Sequence, residues 1–180
     1  MKKTHNKIAL FIGRTGSGKS FFAKALEKKG YRVLKSYTTR PKRNKDDVDH
    51  IFISQEEANL ITNKVAYTEI NNYEYFATKE QIEKNDIYII DPRGYYELIE
   101  NAPNYKFNIF YIEGNNKYRE NMVKQRSEHD NKNFDKRNAS EDKMFTEFEQ
   151  KIKEGLIKVI IVKNNYNKIL PEELITKFPL

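Results

Sequence analysis

The segment from Ile8 to Ser20, IALFIGRTGSGKS, decides the fold of this 180-residue chain. Its first five residues form a continuous apolar run, which is typical of a central parallel strand covered on both faces. The next eight, Gly13 to Ser20, fit the pattern G-x-x-x-x-G-K-[ST] of a phosphate-binding loop, or P-loop. Apolar residues at helical spacing follow, and Gly30 stands where a helix ends. The sequence therefore predicts a strand, a P-loop and a helix in direct succession.

The P-loop has the composition that phosphate binding requires. Glycines let backbone N–H groups turn inward, and the N-terminus of the following helix adds positive potential. We expect Lys19 to reach the β and γ phosphates of ATP, and the hydroxyl of Ser20 to ligate Mg²⁺. The alternative is a glycine-rich turn without a ligand. The nucleotide-binding candidates are Gly13, Arg14, Thr15, Gly16, Ser17, Gly18, Lys19 and Ser20.

The composition narrows the possible partners. A formal net charge of +7 favours anionic partners, which include nucleic acids and small phosphorylated ligands. Because a phosphate-handling site accounts for the basic residues, nucleic-acid binding becomes a minor possibility. With no cysteine, the chain has no disulfide, thiolate metal site or catalytic thiol, and its three histidines are too scattered to indicate zinc.

Membrane association is not predicted. No apolar stretch approaches the roughly 20 residues of a membrane helix. The basic residues before Ile8 resemble the start of a signal peptide, but the apolar run to Ile12 is too short to continue one. We therefore expect a cytoplasmic protein, of unknown oligomeric state.

Strands alternate with helices along the chain, which predicts a three-layer α/β fold around a parallel sheet. The segment Ser127–Ala139 interrupts this alternation, because it is polar and almost free of apolar residues; it is either a mobile lid or a surface loop. The predicted strands are Ile8–Ile12, Tyr31–Leu34, His50–Ile53, Val65–Ile70, Tyr73–Ala77, Ile87–Asp91, Phe107–Ile112 and Lys158–Val162. The predicted helices lie within Gly13–Lys29 after the P-loop and over Asn116–Arg126 and Ser140–Lys153. Further ones start at Ser54, Thr78 and Pro171, and one follows Gly94.

The order of two short motifs argues against a GTPase. Asp91–Gly94 matches D-x-x-G, and Asn44–Asp47 matches the guanine signature N-K-x-D. In a GTPase the guanine signature follows D-x-x-G, whereas here it comes first and does not follow a buried strand.

The segment Ser36–Arg43, SYTTRPKR, contains two arginines three residues apart. Their guanidinium groups suit a dianionic phosphate, although a solvated basic loop has the same composition. Together with the P-loop, this segment resembles S-x-T-T-R-x-x-R of guanylate kinases. The similarity continues in DHIFIS at Asp49–Ser54 and YEYFAT at Tyr73–Thr78, extends to about Gly94, and becomes fainter beyond it.

The resemblance implies a P-loop kinase fold with a small inserted α/β lobe that binds a nucleoside monophosphate. By this likeness the core comprises residues 1–36, 86–118 and 140–180, the lobe 37–85 and the mobile lid 119–139. Arg40 and Arg43 would clamp the acceptor phosphate, and Asp91 would lie between the substrates near Mg²⁺. The other implied acceptor contacts are Ser36, His50, Glu69, Tyr75 and Thr78. Each has a plain structural alternative, as a strand residue or an exposed polar residue.

The chain departs from the family pattern at several informative positions. His50 replaces a phosphate-binding tyrosine, and Phe76 replaces the second tyrosine of Y-Y-G. The acidic residue that would recognise guanine is expected near Glu69, but an ungapped alignment places Tyr67 there. Ile89 replaces the first acid of D-x-D. Phosphate transfer is therefore better supported than the choice of base.

No catalytic base is expected, because the acceptor phosphate is already largely ionised at pH 7. Lys19 and Arg40 are candidate catalytic residues, and the resemblance adds the lid arginines Arg126 and Arg137, whose alternative is solvation in a charged loop. Asn164 is a candidate contact for adenine. Three functions stay open: a GMP or dGMP kinase, a kinase for another nucleotide-like acceptor, and a non-catalytic interaction module of the same fold.

Overall fold

The computed structural model describes residues 7–124, 134–167 and 170–178. Its strands form a parallel five-stranded sheet and a separate four-stranded sheet. The strands are β1 (Lys7–Ile12), β2 (Val33–Leu34), β3 (Tyr37–Thr38), β4 (Ile51–Phe52), β5 (Lys64–Ile70), β6 (Tyr73–Thr78), β7 (Ile87–Ile89), β8 (Lys106–Gly114) and β9 (Ile160–Asn164). The helices are α1 (Lys19–Glu27), α2 (Gln55–Leu60), α3 (Lys79–Lys84), α4 (Pro92–Asn101), α5 (Asn116–Lys124), α6 (Phe134–Lys153) and α7 (Glu172–Lys177).

The main sheet has the strand order β2-β7-β1-β8-β9, with every pair parallel. Strand β1 lies at its centre, paired with β7 on one side and β8 on the other. Because the strands are parallel, their carboxyl ends meet at one edge, where ligands bind in folds of this class. The segments after β1, β7, β8 and β9 therefore share that edge.

The alternating residues of β1 separate two hydrophobic cores. Leu10 and Ile12 belong to the core beneath α4 and α6, which also contains Leu98 and Phe148. Phe11 points to the opposite face, which α1 and α7 cover. The structure thus has the three layers that the sequence predicts.

The small sheet has the order β4-β3-β6-β5 and lies within residues 37–78. Its β5–β6 hairpin turns at Asn71 and Asn72, whose φ angles of 52° and 62° match the primed turns that hairpins favour. Capping boxes begin the two helices that follow strands of this sheet, with Ser54 before α2 and Thr78 before α3.

Several predicted boundaries were wrong. Strand β3 lies in the segment Ser36–Arg43, for which no strand was predicted, and β9 lies two residues later than expected. Helix α4 begins at Pro92 because Asp91 caps it. Helix α6 begins at Phe134, six residues before Ser140, so part of the segment predicted as a lid or loop is helical. Its first turns lack apolar periodicity, which is the signal that the prediction used.

Among the described residues, no helix combines the length and the apolar character needed to cross a bilayer.

We predict that Leu98→Ala lowers the free energy of unfolding by about 2–5 kcal/mol, because it opens a cavity beneath α4. The matched control is Leu60→Ala, the same change at a side chain that is 82% exposed, for which we expect about 0.5 kcal/mol or less. Chemical denaturation of both variants measures the difference. Equal losses would contradict the assignment of Leu98 to the core.

Candidate active site

The P-loop depends on glycine at positions where its backbone is left-handed or closely packed. Gly16 and Gly18 have φ angles of 80° and 103°, and Gly18 is the N-cap of α1. A side chain at Gly16 would also collide with the backbone of Arg119, and one at Gly13 with the carbonyl of Ile112. These constraints direct the N-terminus of α1 at the loop, which is the geometry of an anion site.

Lys19 folds back over the loop that it follows. Its Nζ donates to the carbonyl oxygens of Gly13, at 2.5 Å, and Arg14, at 3.0 Å. The ammonium group is therefore held at the mouth of the P-loop. Ser20 is the second residue of α1 and is half-buried.

A cleft of about 240 Å³ separates the P-loop from the small sheet. We call it the central cleft. It brings together predicted residues from both sides, together with Glu141 and Phe145 of α6. Those predicted residues are Gly13, Thr15 and Lys19 of the P-loop, Asp91 after β7, and Ser36, His50 and Tyr75 on the far wall.

The far wall of the central cleft contains a hydrogen-bonded pair. Ser36 Oγ lies 2.9 Å from His50 Nδ1, and the ring of Tyr75 packs edge-on against the imidazole. Burial lowers the pKa of His50 below its usual value, and the charge of Arg40 lowers it further. The neutral form of the imidazole is therefore favoured at pH 7.

The two predicted clamp arginines share one carboxylate. Asp47 Oδ2 accepts from Arg40 Nη1 at 3.0 Å and from the backbone N–H of Arg43 at 3.1 Å. Burial raises the pKa of Asp47, but these hydrogen bonds outweigh it and the net pKa is lowered. The Arg40 guanidinium also stacks on Phe52, and its buried Nε has no hydrogen-bond partner within the described part of the chain. Neither arginine is among the residues that line the central cleft.

A β-bulge decides which residues of β5 face the central cleft. The register shifts between Val65 and Thr68, and Ala66 has a φ angle of 55°. As a result Thr68 and Ile70 line the cleft, whereas Glu69 is exposed beside Glu74 on the other face. The expected position of Glu69 against a bound base does not occur here.

Thr78 is also absent from the central cleft. Its Oγ1 accepts from the N–H of Gln81 at 3.3 Å and caps α3, beside a different groove. The sequence predicted both this cap and a contact with the base, and the hydroxyl is used for the cap.

Asp91 lines the central cleft at the carboxyl end of β7. Its Oδ1 accepts from the N–H of Gly94 at 2.8 Å and caps α4. Burial raises the pKa of Asp91, and the amide of Gly94 partly offsets this effect. The described residues contain no group of three or more acidic or histidine side chains that could enclose a metal. One carboxylate and the Ser20 hydroxyl are nevertheless hard oxygen donors of the kind that suits Mg²⁺, which usually keeps several waters.

Two residues that hold the P-loop were not predicted from the sequence. Arg119 of α5 is 5% exposed, and its Nε donates to the carbonyl of Thr15 at 2.9 Å. Glu141 of α6 accepts from the backbone N–H of Thr15 at 3.1 Å and from its hydroxyl. Arg119 had one available signal, because it follows β8 within a turn of the ligand-binding edge.

Asn164 holds the P-loop from the end of β9. Its Nδ2 donates to the carbonyl of Ser17 at 2.8 Å, and its Oδ1 accepts from the N–H of Tyr166. It also lines a second cavity, of about 760 Å³, with Arg14 and Arg119. Of the lid arginines, Arg126 and the side chain of Arg137 lie outside the described residues.

The side chain of Arg14 is directed at α6. Its Nε lies 2.8 Å from Glu149 Oε1, its Nη2 3.1 Å from Glu149 Oε2, and its Nη1 2.6 Å from Asp142 Oδ1. The hydrogen bond to Glu149 is the largest cause that raises the pKa of Arg14. Burial raises the pKa of Glu149, but hydrogen bonds from Arg14 and Tyr111 lower it overall.

No protein-family model matches the chain, and no curated protein sequence matches it. Among solved structures, the chain is similar to a guanylate kinase from Anaplasma phagocytophilum, with 15% identity and a TM-score of 0.53. The match covers 88% of this chain and 76% of that one. At this identity the likeness shows the fold alone. The predicted α/β class with a parallel sheet is confirmed, and it is a P-loop kinase fold.

We predict that His50 makes stability depend on pH. Because its pKa is lowered in the folded protein, the unfolded chain binds a proton more readily as the pH falls through about 6.5. The free energy of unfolding should therefore fall more steeply for the wild type than for His50→Gln between about pH 7.5 and about pH 5.5. Denaturation curves at several pH values measure this. The other histidines, His5 and His129, are common to both proteins and cancel; identical pH profiles would contradict a buried neutral His50.

Proposed function

We propose that this protein transfers the γ-phosphoryl group of ATP to a nucleoside monophosphate, with GMP or dGMP as the first candidates. The observation that carries the proposal is the central cleft, in which Lys19 of the P-loop faces the polar wall of Ser36, His50 and Tyr75. A nucleotide phosphate bound by the P-loop and a second phosphate compound bound at that wall would meet within one cavity.

On the donor side, the backbone N–H groups of the P-loop and the Lys19 ammonium would bind the β and γ phosphates of ATP. The hydrogen bonds from Lys19 to Gly13 and Arg14 hold the ammonium at the loop before any phosphate arrives. The second cavity, which Asn164 lines, is the candidate site for the adenosine moiety.

Mg²⁺ would be held by Ser20 and Asp91, with waters completing its coordination. When bound, it neutralises charge on the phosphates of ATP. The residues of the chain align the two phosphates and exclude water from the central cleft.

On the acceptor side, the monophosphate carries its own nucleophile. Its second pKa is about 6, so an oxygen is already ionised at pH 7 and no protein base is needed. The neutral His50, paired with Ser36, can donate or accept a hydrogen bond at the cleft wall. Arg40 would supply positive charge to the acceptor phosphate once Asp47 releases its guanidinium, and Arg43 would add a second positive charge. Arg126 and Arg137 stay predictions for the transferring group.

The β-bulge in β5 favours a second candidate, a kinase that acts on another nucleotide-like acceptor. A carboxylate that accepts from guanine N1–H and N2–H would select guanine, but Glu69 points away and the lobe offers Thr68 and Ile70 instead. A non-catalytic module is disfavoured, because Lys19 and the glycines of the P-loop are all present.

We predict that ADP forms from ATP and Mg²⁺ in the presence of a nucleoside monophosphate. A coupled assay across the common ribo- and deoxynucleoside monophosphates measures this. Turnover with GMP or dGMP at least about tenfold above the others supports the first candidate. Preference for another monophosphate supports the second. No turnover with any acceptor, from folded protein that binds ATP, would contradict the proposal.

We predict that Lys19→Ala lowers kcat/KM at least about 100-fold, because the charge that stabilises the transferring phosphoryl group is lost. The fold should be retained, since Lys19 is half-buried at the mouth of the P-loop and belongs to neither hydrophobic core. The control is Lys28→Ala, the same change at an exposed residue beyond the other end of α1. Steady-state kinetics and circular dichroism measure both. Normal turnover by folded Lys19→Ala would overturn the site assignment.

A further inference from the structure

Arg14 lies inside the P-loop, between Gly13 and Thr15, yet its side chain forms hydrogen bonds with α6. Both neighbours line the central cleft, whereas Arg14 is absent from that lining and borders the second cavity together with Asp142 and Glu149. The guanidinium turns instead toward the carboxylates of α6, and its side chain is only 15% exposed.

Every hydrogen bond described for the guanidinium ends on α6. Glu149 accepts two of them in the bidentate arrangement that Arg and carboxylate favour, Asp142 accepts a third, and Thr146 a weak fourth at 3.5 Å. The ring of Phe145 lies 5.4 Å from the guanidinium carbon. These residues recur at three- and four-residue intervals, so one face of α6 meets a single side chain of the P-loop.

Two further contacts hold α6 in this position. Glu141, the residue before Asp142, accepts from the N–H and the hydroxyl of Thr15. On the other side, the hydroxyl of Tyr111 in β8 donates to Glu149. Residues 14 and 15 are variable positions of the P-loop pattern, and here both form hydrogen bonds with α6.

We infer that Arg14 is a positioning residue that docks α6 on the P-loop, with Glu149 as its counterpart. The inference rests on the proposed phosphoryl transfer. Arg137 lies one helical turn before Glu141 in α6, so the docking fixes how the start of that helix stands relative to the P-loop. The backbone N–H groups of the P-loop bind phosphate without the Arg14 side chain.

The competing role for Arg14 is direct contact with a phosphate. The two roles differ in what Glu149 does. In docking, Glu149 cooperates with Arg14, and losing either residue has the same effect. In phosphate binding, Glu149 competes with the ligand, and its loss releases the guanidinium and strengthens ATP binding.

The test compares Arg14→Ala, Glu149→Gln and the double variant in the full chain. Tyr111→Phe is a milder variant that removes only the hydroxyl donating to Glu149. The matched control is Arg32→Ala, which breaks the bidentate pair with Asp86 at the opposite edge of the main sheet. Hydrogen exchange of the amides of residues 141–153 reports the docking of α6, calorimetry gives the Kd of ATP, and steady-state assays give kcat.

We expect Arg14→Ala to speed amide exchange in α6 on the order of tenfold while changing the Kd of ATP less than about threefold. We expect kcat to fall at least about tenfold, because small misplacements of positioning groups are costly. Glu149→Gln should act in the same direction, Tyr111→Phe more weakly, and the double variant should be no worse than Arg14→Ala. Arg14→Lys should rescue only partly, since an ammonium cannot form the fork.

Unchanged exchange of α6 in Arg14→Ala overturns the inference, as does weaker ATP binding in Arg14→Ala combined with tighter binding in Glu149→Gln. Exchange and ATP binding do not require turnover. If the wild type transfers no phosphoryl group, the proposed function fails, while these two measurements still decide whether Arg14 docks α6.

Discussion

The parallel pairing of β1 with β7 and β8 is the constraint on which the rest of the structure depends. Because Ala9 pairs with Ile87 on one side and Asn108 on the other, the three strands end at the same edge. The P-loop, Asp91 and the segment leading to α5 consequently meet there, although they are far apart in the sequence. Apolar burial on both faces of β1 holds this register, since a shift by one residue would exchange its two cores.

The second constraint is the short passage between the sheets. Strand β2 ends at Leu34 and β3 begins at Tyr37, so only Lys35 and Ser36 connect the main sheet to the small one. Ser36 is buried at this crossing and faces the central cleft. A connection this short keeps the wall of Ser36 and His50 opposite the P-loop. The position of the central cleft therefore follows from the way the chain passes from one sheet to the other.

The sequence predicts the features that local chemistry determines. The glycines and Lys19 of the P-loop and the apolar strands of the main sheet each carry a local signal, and the structure contains all of them. The cap by Asp91 was not predicted, because the helix was expected only after Gly94. The cap by Thr78 was visible in the sequence, but a hydroxyl predicted to have two roles has only one in the structure. Arg119 was missed because its burial against the P-loop arises from tertiary packing that the polar sequence of α5 does not reveal.

The bulge in β5 shows why one position was beyond prediction. A left-handed alanine has no sequence signature, because the conformation normally indicates glycine or asparagine. At the bulge, the backbone N–H of Tyr67 finds its hydrogen-bond partner outside the sheet. Glu97 of α4 accepts from it at 2.8 Å. Strict alternation of side chains counted from Val65 would place Tyr67 and Glu69 on the face toward the central cleft, where the structure has Thr68 and Ile70.

This irregularity absorbs one residue of β5 without changing how the rest of the hairpin is paired. Removing the single codon for Ala66 would restore regular pairing beyond Val65, with Tyr67 opposite Phe76, while Thr68 would stay opposite Tyr75 and Glu69 opposite Glu74. Because the turn at Asn71 and Asn72 pairs Ile70 with Tyr73, the acidic side chain would keep its outward position. In a lineage that carries this hairpin, a one-residue change of length at the bulge therefore leaves the cleft lining beyond it as it is.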